Sequence, residues 1–243
     1  MFIIYAHRGA SSYCAENTMP SFEMGAKMAN GIETDVHITK DGVLVLFHDD
    51  VLDNVTEKTG RIGDYTLEEL KNIPVIGRKD ARMTPAPIPT LEEFLIRFGK
   101  SGINLALELK DDGIEEAVID MVEKYCDIEN VTITAFERNR IENVLKLRPR
   151  FKTGWLITEY NMEGADKICV EKGISEICPK TVTLTNELVD CWHKMGLNVR
   201  AWGVFTEDDM KKVVICGADG TTVNFPDKLA AFLKEYNALP FVE

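Results

Sequence analysis

The chain alternates short β-rich runs with amphipathic helical segments from end to end, and this alternation most constrains its fold. Parallel strands separated by helices build α/β folds, so the pattern predicts a parallel sheet covered by helices. The predicted strands are Phe2–Ala6, Gly31–Val36, Ile103–Leu109, Val131–Ala135, Thr153–Ile157, Ser175–Cys178, Asn198–Trp202 and Asp219–Val223. The predicted helices lie near residues 18–29, 90–99, 114–125, 137–147, 161–172, 185–195, 207–215 and 226–236.

Eight strand–helix repeats predict a closed (β/α)8 barrel, the TIM barrel, as the architecture of the chain. The 243 residues then form one barrel domain spanning 1–243, which agrees with the typical size of about 250 residues. An open doubly wound sheet is the alternative. Such a sheet usually carries a glycine-rich phosphate loop after its first strand, and no such loop follows Ala6.

Residues 49–89 interrupt the alternation, because an ordinary connection from strand to helix takes only about 2–6 residues. The segment contains a predicted short helix from Leu67 to Asn72, and Val43–Phe47 before it is a candidate for an additional strand. We interpret 49–89 as a small insertion after the second strand, at the mouth of the barrel, where it shapes the pocket. The alternative is an irregular loop without a role. Capping boxes are predicted at Thr66-x-x-Glu69 and Thr90-x-x-Glu93.

The charge balance limits the partners of the chain. Its formal net charge is −12 and no stripe of Lys and Arg is visible, which argues against nucleic acid and against anionic membrane surfaces. A negative protein that acts on a negative phosphoester needs a local positive feature. A bound cation with a few basic side chains is therefore expected at any such site.

The cysteine pattern and the terminal segments predict a cytoplasmic protein. Six cysteines are scattered without a C-x-x-C pair, which is typical of buried thiols in a reducing compartment. The N-terminus lacks the basic and apolar regions of a signal peptide, and no window has the ~18–20 apolar residues of a membrane span. The oligomeric state, and whether the apolar segment Leu239–Val242 packs on its own barrel or on a neighbour, remain open.

Carboxylates interrupt two of the apolar strands. Glu33 and Asp35 are two residues apart, so they point to the same side of their strand, and Glu108 ends the next one. Like charges turned inward repel each other and are costly to desolvate, so a bound cation explains them best. An all-oxygen set favours Mg²⁺, Ca²⁺ or Mn²⁺. An ion-pair network with Arg8 and Lys110 is the structural alternative. His37 is at a position that points to the same side of the strand as Glu33 and Asp35, but it is expected to lie beyond the strand and to face the loop.

Two histidines flank the carboxylates in the sequence. His7 and His48 come from the ends of elements on neighbouring barrel strands, so their rings can meet across one site. A histidine titrates near neutral pH and serves as base in one step and as acid in the next. Arg8 can hold two phosphate oxygens, whereas Lys110 acts as a point charge. These residues predict metal-assisted phosphoester chemistry. His193, near a predicted helix C-terminus, receives no catalytic role.

At these residues the chain closely resembles the glycerophosphodiester phosphodiesterase family, and the matching motifs run nearly from end to end. They are His7-Arg8-Gly9, Glu16-Asn17-Thr18, Glu33-x-Asp35-Val36, Thr39-Lys40-Asp41-Gly42, His48-Asp49-x-x-Leu52-Asp53, Tyr65-Thr66-Leu67-x-x-Leu70, Ile88-Pro89-Thr90-Leu91, Glu108-x-Lys110, Trp202 and Gly217-x-Asp219-Gly220 up to Pro226. In this order the motifs are highly specific, whereas His-Arg-Gly alone is a weak signal.

The resemblance implies a barrel with an insertion after the second strand and a metal-dependent reaction. It implies that the chain cleaves a small glycerophosphodiester to sn-glycerol 3-phosphate and an alcohol, through a cyclic phosphate formed by a glycerol hydroxyl. The implied general acid/base pair is His7 and His48. The implied metal ligands are Glu33, Asp35 and Glu108, and the implied substrate contacts are Arg8, Lys110 and Trp202.

Four positions depart from the family pattern. Where members commonly continue Trp-x-Val-Asn, this chain reads Trp202-Gly203-Val204-Phe205. A common Ser-Phe pair is Ala135-Phe136, a common Asp is Asn224, and a common Pro before Glu-Asn-Thr is Ala15. The proposed catalytic and metal residues are unaffected by these changes, which concern the pocket for the leaving alcohol.

Three other functions compete with this interpretation. A barrel amidohydrolase needs a His-x-His pair on its first strand, and the chain has none. A lysophospholipase D-like or cyclising phosphodiesterase needs an apolar surface for its lipid, which the sequence does not make evident. A binding barrel without activity is disfavoured because both histidines and all three carboxylates are present.

Overall fold

The computed structural model describes residues 1–78 and 81–238, and within them eight parallel strands form a closed ring. β1 pairs with both the second and the last barrel strand, which closes the barrel. In chain order the strands are β1 (Ile3–His7), β2 (Gly31–Ile38), β3 (Leu44–Leu46), β4 (Pro74–Val75), β5 (Ala86–Pro87), β6 (Asn104–Leu109), β7 (Val131–Ala135), β8 (Lys152–Ile157), β9 (Glu176–Pro179), β10 (Asn198–Val204) and β11 (Gly220–Val223). The ring order is β1, β2, β6, β7, β8, β9, β10, β11.

With the exception of α2, which lies in the 49–89 segment, the helices follow the barrel strands along the chain and pack on the outside of the ring. They are α1 (Met19–Met28), α2 (Leu67–Lys71), α3 (Leu91–Phe98), α4 (Glu115–Tyr125), α5 (Arg138–Leu147), α6 (Ala165–Lys172), α7 (Asn186–Lys194), α8 (Glu207–Ile215) and α9 (Pro226–Ala238). The predicted (β/α)8 barrel is confirmed, and each predicted strand and helix has an observed counterpart. The segment Leu239–Val242 lies outside the described residues.

β2 is longer than predicted because a second strand supports its end. The sequence predicted β2 up to Val36, whereas the structure continues it to Ile38. β3 runs antiparallel to Val36–Ile38 and supplies the hydrogen bonds of this extension. The candidate strand at Val43–Phe47 is therefore present, and it places His48 beside the mouth of the barrel.

Residues 49–78 and 81–89 form a small layer with its own apolar cluster next to β3. The segment contains α2, which begins with the predicted capping box at Thr66, and the short antiparallel pair β4–β5. Phe47, Leu70 and Ile88 are completely or almost completely buried in this second cluster. Burial of their side chains fixes the layer against β3, which pairs with the end of β2.

The main core lies between the barrel and its helices. Phe22 of α1 packs edge to face on Phe94 of α3, with ring centroids 4.7 Å apart.

Among the described residues, no helix is both long and apolar enough to cross a membrane. Four of the six cysteines are buried, Cys14 is half-buried, and Cys191 is exposed.

Candidate active site

The carboxyl ends of β1, β2 and β6 bring the predicted site residues together. In the parallel register His7 of β1 lies opposite Glu33 of β2, and Asp35 of β2 lies opposite Glu108 of β6. Alternate residues of a strand share a face, so all four side chains belong to one surface of the sheet. The mouth formed by these strand ends is where TIM barrels carry their chemistry.

Three carboxylates form a buried cluster at this point. One oxygen each of Glu33, Asp35 and Glu108 lies within 4.8 Å of the other two, and all three residues are buried. Burial, with Asp35 and Glu108 close by, raises the pKa of Glu33 well above its ordinary value. Burial alone would also raise the pKa of Asp35, but Lys110, His48 and Arg8 hold it well below its usual range. The predicted acidic cluster is confirmed.

Two cationic side chains border the cluster without neutralising it. Lys110 Nζ donates to Glu108 Oε1 at 2.8 Å and lies 3.6 Å from Asp35 Oδ1. Arg8 Nε lies 3.5 Å from Asp35 Oδ2, and its Nη1 donates to Glu16 at 2.8 Å. The three carboxylates of the cluster face two cations, so the fully ionised group carries an excess of one negative charge.

A strained turn after β1 positions Arg8. Arg8 has φ +54° and the following Gly9 has φ +79°, both in the left-handed region. A Cβ at Gly9 would lie 2.4 Å from the backbone of Ser21, so no larger residue fits there. The carbonyl of Arg8 accepts hydrogen bonds from Ser21 Oγ and from the Asn17 amide, which hold the turn in place.

His7 has a neutral partner. Its Nδ1 donates to Asn224 Oδ1 at 2.5 Å, which leaves Nε2 as the acceptor nitrogen, 3.9 Å from Glu33. Burial and the nearby Arg8 guanidinium lower the pKa of His7 to about 3. Sequence reasoning noted Asn224 only as a departure from the family pattern and did not predict this contact.

His48 has an ionised partner instead. Its Nδ1 donates to Asp49 Oδ1 at 2.5 Å, and Asn54 Nδ2 donates to Asp49 Oδ2 at 2.6 Å. The hydrogen bond from His48, followed by that from Asn54, holds the pKa of Asp49 well below its usual range. A carboxylate in this position orients the imidazole and stabilises the charge of its protonated form.

His37 supports the neighbouring loop and is outside the carboxylate cluster. It is buried, its Nδ1 lies 3.0 Å from Asp111 Oδ2, and its Nε2 lies 3.4 Å from the carbonyl oxygen of His48. The structure thus places it on the loop side, as the sequence analysis favoured. His193 lies in α7 with Nε2 2.8 Å from Asp219, which precedes β11 at the opposite end of the barrel.

A cavity of about 150 Å³ opens beside these groups. His7, Arg8, His48, Glu33 and Glu108 line one side of it. The opposite wall is largely apolar and consists of Phe136, Leu156, Trp202, Gly203, Val204 and Phe205. Lys110 and Asp35 lie behind this lining.

Trp202 is fixed in the apolar wall by two contacts. Its ring packs edge to face on Phe136 at a centroid distance of 5.0 Å, and its Nε1 donates to the carbonyl of Ile157 at 3.0 Å. Trp202 thus lies in the wall of the cavity. Sequence reasoning missed Arg200 at the cavity floor, which is buried and donates to Glu176 at 2.7 Å. A charged residue in an otherwise apolar strand was the available signal.

Comparisons with known proteins agree with this site. Residues 7–228 match the family model of the Glycerophosphoryl diester phosphodiesterase family. The chain is 30% identical to a glycerophosphodiester phosphodiesterase of Caldanaerobacter subterraneus subsp. tengcongensis, over 96% of this chain and 98% of that protein. It is 31% identical to a glycerophosphodiester phosphodiesterase of Bacillus altitudinis, again over 96% and 98%.

A solved structure shows the same fold. A phosphodiesterase of Oleispira antarctica, crystallised with the product sn-glycerol 3-phosphate, superimposes with a TM-score of 0.83 at 23% identity, covering 96% of each chain. Together with the match over residues 7–228, the barrel and its cluster of histidines and carboxylates identify the chain as a member of the glycerophosphoryl diester phosphodiesterase family of phosphoric diester hydrolases.

Proposed function

We propose that this enzyme hydrolyses glycerophosphodiesters to sn-glycerol 3-phosphate and an alcohol, with one divalent cation and two histidines. The observation that carries the proposal is the arrangement of His7, His48 and three carboxylates around one small cavity. The relatives at 30% and 31% identity bear the corresponding name. The product in the Oleispira antarctica structure is also the one that this reaction would release.

The carboxylate cluster has the properties of a site for a hard cation. Asp35 Oδ1 is buried and accepts no hydrogen bond from the residues that the structure describes. Lys110 Nζ lies 3.6 Å from this oxygen, beyond hydrogen-bond distance. Leaving a buried ionised oxygen without a hydrogen bond is costly, and a bound cation would offset that cost. Glu33, Asp35 and Glu108 would hold it through oxygen, the donor set that Mg²⁺, Ca²⁺ and Mn²⁺ prefer. When bound, the cation would stabilise the negative charge that develops on the phosphoryl oxygens.

We assign the two histidines different first roles because their partners differ. In the proposed first step, His7 Nε2 accepts the proton of the glycerol hydroxyl that attacks phosphorus. His48, whose charge Asp49 stabilises, donates a proton to the departing alcohol oxygen. In the second step water opens the cyclic phosphate and the roles reverse. Two titratable groups in different environments can act one as the acid and the other as the base at the same pH.

The other site residues bind and orient the substrate in this proposal. Arg8 lines the cavity and can meet two phosphoryl oxygens, while Lys110 adds positive charge from behind Glu108 and Asp35. Trp202 offers an apolar face to the carbon atoms of glycerol. Placing the attacking hydroxyl within the substrate itself adds a large effective-molarity contribution.

An assay of the purified enzyme tests the proposal. Glycerophosphocholine is supplied with Mg²⁺ or Ca²⁺, and the release of sn-glycerol 3-phosphate is coupled to its dehydrogenase. We expect activity that EDTA abolishes and that falls at least 10²-fold in His7→Ala and in His48→Ala. Activity that is indifferent to EDTA or unchanged in both variants would contradict the mechanism. A folded protein without activity on any head group would indicate a binding barrel.

A further inference from the structure

Three buried polar side chains form the inner end of the catalytic cavity. Thr134 of β7, Arg200 of β10 and Thr222 of β11 line the cavity, and their exposed fractions are only 1%, 2% and 7%. Each lies two residues before another residue of the cavity lining that is nearer the mouth. Because alternate residues of a strand share a face, these three side chains lie one layer deeper inside the barrel. We call them the polar floor.

Arg200 is held in a fixed position in the polar floor. Its Nε donates to Glu176 Oε1 at 2.7 Å, and its Nη2 lies 3.6 Å from Cys178 Sγ. The guanidinium carbon also lies 5.0 Å from the ring centroid of Tyr5. Among the described residues, no acceptor takes a hydrogen bond from Nη1. A donor that is positioned before the ligand arrives lowers the entropic cost of binding.

The two threonines of the polar floor retain unused hydrogen-bonding capacity. Thr134 Oγ1 donates to the carbonyl of Leu107 at a long 3.5 Å, and it accepts no hydrogen bond from the described residues. Thr222 Oγ1 has no hydrogen-bond partner within the same part of the chain. Buried polar groups nearly always have a partner. A hydroxyl group is the natural complement of this floor, because it offers one donor and two acceptor lone pairs.

The charges indicate which end of a glycerophosphodiester meets the polar floor. Arg200 and Glu176 neutralise each other, so the floor offers no excess positive charge to a phosphate. Arg8, by contrast, lies nearer the mouth beside the carboxylates that would hold the cation. The phosphoryl group would therefore stay at the mouth, and the glycerol carbons would extend inward past Trp202. The hydroxyl that reaches the floor is then the terminal one, which is neither esterified nor the attacking group.

We propose that the polar floor binds the terminal hydroxyl of the glycerol moiety and thereby selects glycerol over diols that lack this hydroxyl. Arg200 Nη1 donates to the hydroxyl oxygen, and the hydroxyl donates to Oγ1 of Thr134 or Thr222. This assignment of specificity-determining residues rests on the proposed function and leaves its reaction unchanged. A substrate without the terminal hydroxyl would leave the buried groups of the floor unpaired, which is the strongest way for a site to reject an analogue.

Product binding tests the polar floor without turnover. The two probes are sn-glycerol 3-phosphate and 2-hydroxypropyl phosphate of the same configuration, in which a hydrogen replaces the terminal hydroxyl. Both keep the phosphate and the neighbouring hydroxyl, and each is titrated calorimetrically into the enzyme with Mg²⁺. We expect the analogue to bind roughly 10–100-fold more weakly than sn-glycerol 3-phosphate, as unpaired buried polar groups imply.

Valine variants separate recognition of the hydroxyl from damage to the cavity. Valine keeps the shape of threonine without its hydroxyl, so Thr134→Val combined with Thr222→Val should reduce the ratio of the two dissociation constants about fivefold or more. The analogue itself should bind within about threefold of its wild-type affinity, whereas a deformed cavity would weaken both ligands alike. Thr153→Val is the matched control. Thr153 is a buried threonine of β8 outside the cavity lining, and its Oγ1 has no hydrogen bond among the described residues.

Arg200 is tested together with its partner. Arg200→Met alone would leave the buried Glu176 carboxylate without a cation, which is strongly destabilising, so it is combined with Glu176→Gln. This double variant should bind the two probes with dissociation constants within about threefold of each other, and Thr153→Val should keep the wild-type ratio. A ratio below about threefold in the wild type would overturn the proposal. So would an unchanged ratio in both the valine variant and the Arg200→Met/Glu176→Gln variant.

Choline release separates this proposal from the proposed function. The substrates are glycerophosphocholine and the phosphocholine diester of propane-1,2-diol, which retains the attacking hydroxyl. If neither is cleaved while sn-glycerol 3-phosphate still binds more tightly than its analogue, the proposed function fails and the polar floor remains. If both are cleaved with equal kcat/KM and their products bind equally well, the polar floor proposal alone is wrong.

Discussion

At the scale of single residues, the two site histidines differ in the partner of Nδ1. His7 donates to the neutral amide of Asn224, whereas His48 donates to the carboxylate of Asp49. The sequence predicted both histidines as site residues because each is a polar residue at the end of an apolar run. It could not predict the partner of His7, because Asn224 is 217 positions away and meets His7 only when the barrel closes.

Asp49→Asn tests the role assigned to His48. The amide keeps the shape of the carboxylate but removes the charge that stabilises the imidazolium. We expect kcat to fall roughly 10²-fold or more, within the range that general acid–base catalysis supplies, while KM changes less than about threefold. Steady-state kinetics with glycerophosphocholine measures both constants.

The neighbouring carboxylate provides the matched control for that variant. Asp50 is adjacent in sequence, its side chain is 63% exposed, and its ion-pair contact is to Arg61 at 3.9 Å. Asp50→Asn should therefore leave kcat within about twofold of the wild type. A fall of equal size in both variants would show that loss of charge near the site, rather than the partner of His48, causes the effect.

The cysteines differ in accessibility to an extent that alkylation can measure. Burial raises the pKa of Cys126 and of Cys169 to about 12, so both are thiols rather than thiolates near pH 8. We expect iodoacetamide to modify exposed Cys191 first and these two only after unfolding in guanidinium chloride. Peptide mass mapping over time measures the order. Equal native rates at Cys169 and Cys191 would contradict the observed burial.

At the scale of elements, the strands and helices of the barrel were predictable while the insertion was not predictable in detail. Buried parallel strands are continuous apolar runs, and their amphipathic helices have another period, so the two alternate visibly. The pair β4–β5 has only two residues in each strand and is stabilised by tertiary contacts. No local pattern of that length identifies a strand.

The N-terminus of α8 provides a test of local stability next to Phe205 in the cavity wall. Thr206 Oγ1 accepts a hydrogen bond from the Asp209 amide, and the Asp209 carboxylate accepts one from the Thr206 amide. Thr206→Ala removes the side-chain cap and should cost about 1 kcal/mol of unfolding free energy, or about 2–4 °C in Tm for a chain of this size. Thermal unfolding followed by circular dichroism measures the change.

Thr206→Ser is the conservative comparison for the same position. Serine is an equally good cap, so its Tm should stay within about 1 °C of the wild type. If alanine were tolerated as well as serine, the capping box would contribute nothing to stability. The position of Phe205 would then require another explanation.

At the scale of the whole molecule, barrel closure converts distant sequence signals into one charged site. Glu108 is far from Glu33 and Asp35 in the chain, but β2 and β6 are neighbours in the ring. The cluster was predictable because like charges turned into a sheet repel each other and are costly to desolvate, so that a bound cation or an ion-pair network has to offset that cost. The buried pair of Arg200 and Glu176 lies inside the same barrel and went unpredicted, because the charge within each apolar strand was visible in the sequence but the pairing of the two side chains across β9 and β10 was not.

The excess negative charge of the cluster predicts that a divalent cation stabilises the entire fold. A ligand that binds only the folded state at about 100 times its Kd adds about 2.7 kcal/mol of unfolding free energy. For a single domain of this length that corresponds to about 5–10 °C in Tm. Calorimetric scans of EDTA-treated protein with increasing Mg²⁺ or Ca²⁺ measure the rise.

The variant Asp35→Asn should lose most of this rise in Tm, because Asp35 supplies the buried oxygen without a hydrogen bond. Asp112→Asn, at a side chain that is 72% exposed, should retain the full rise. A Tm independent of both ions, or an equal rise in Asp35→Asn, would favour the ion-pair network with Arg8 and Lys110 as the purpose of the cluster.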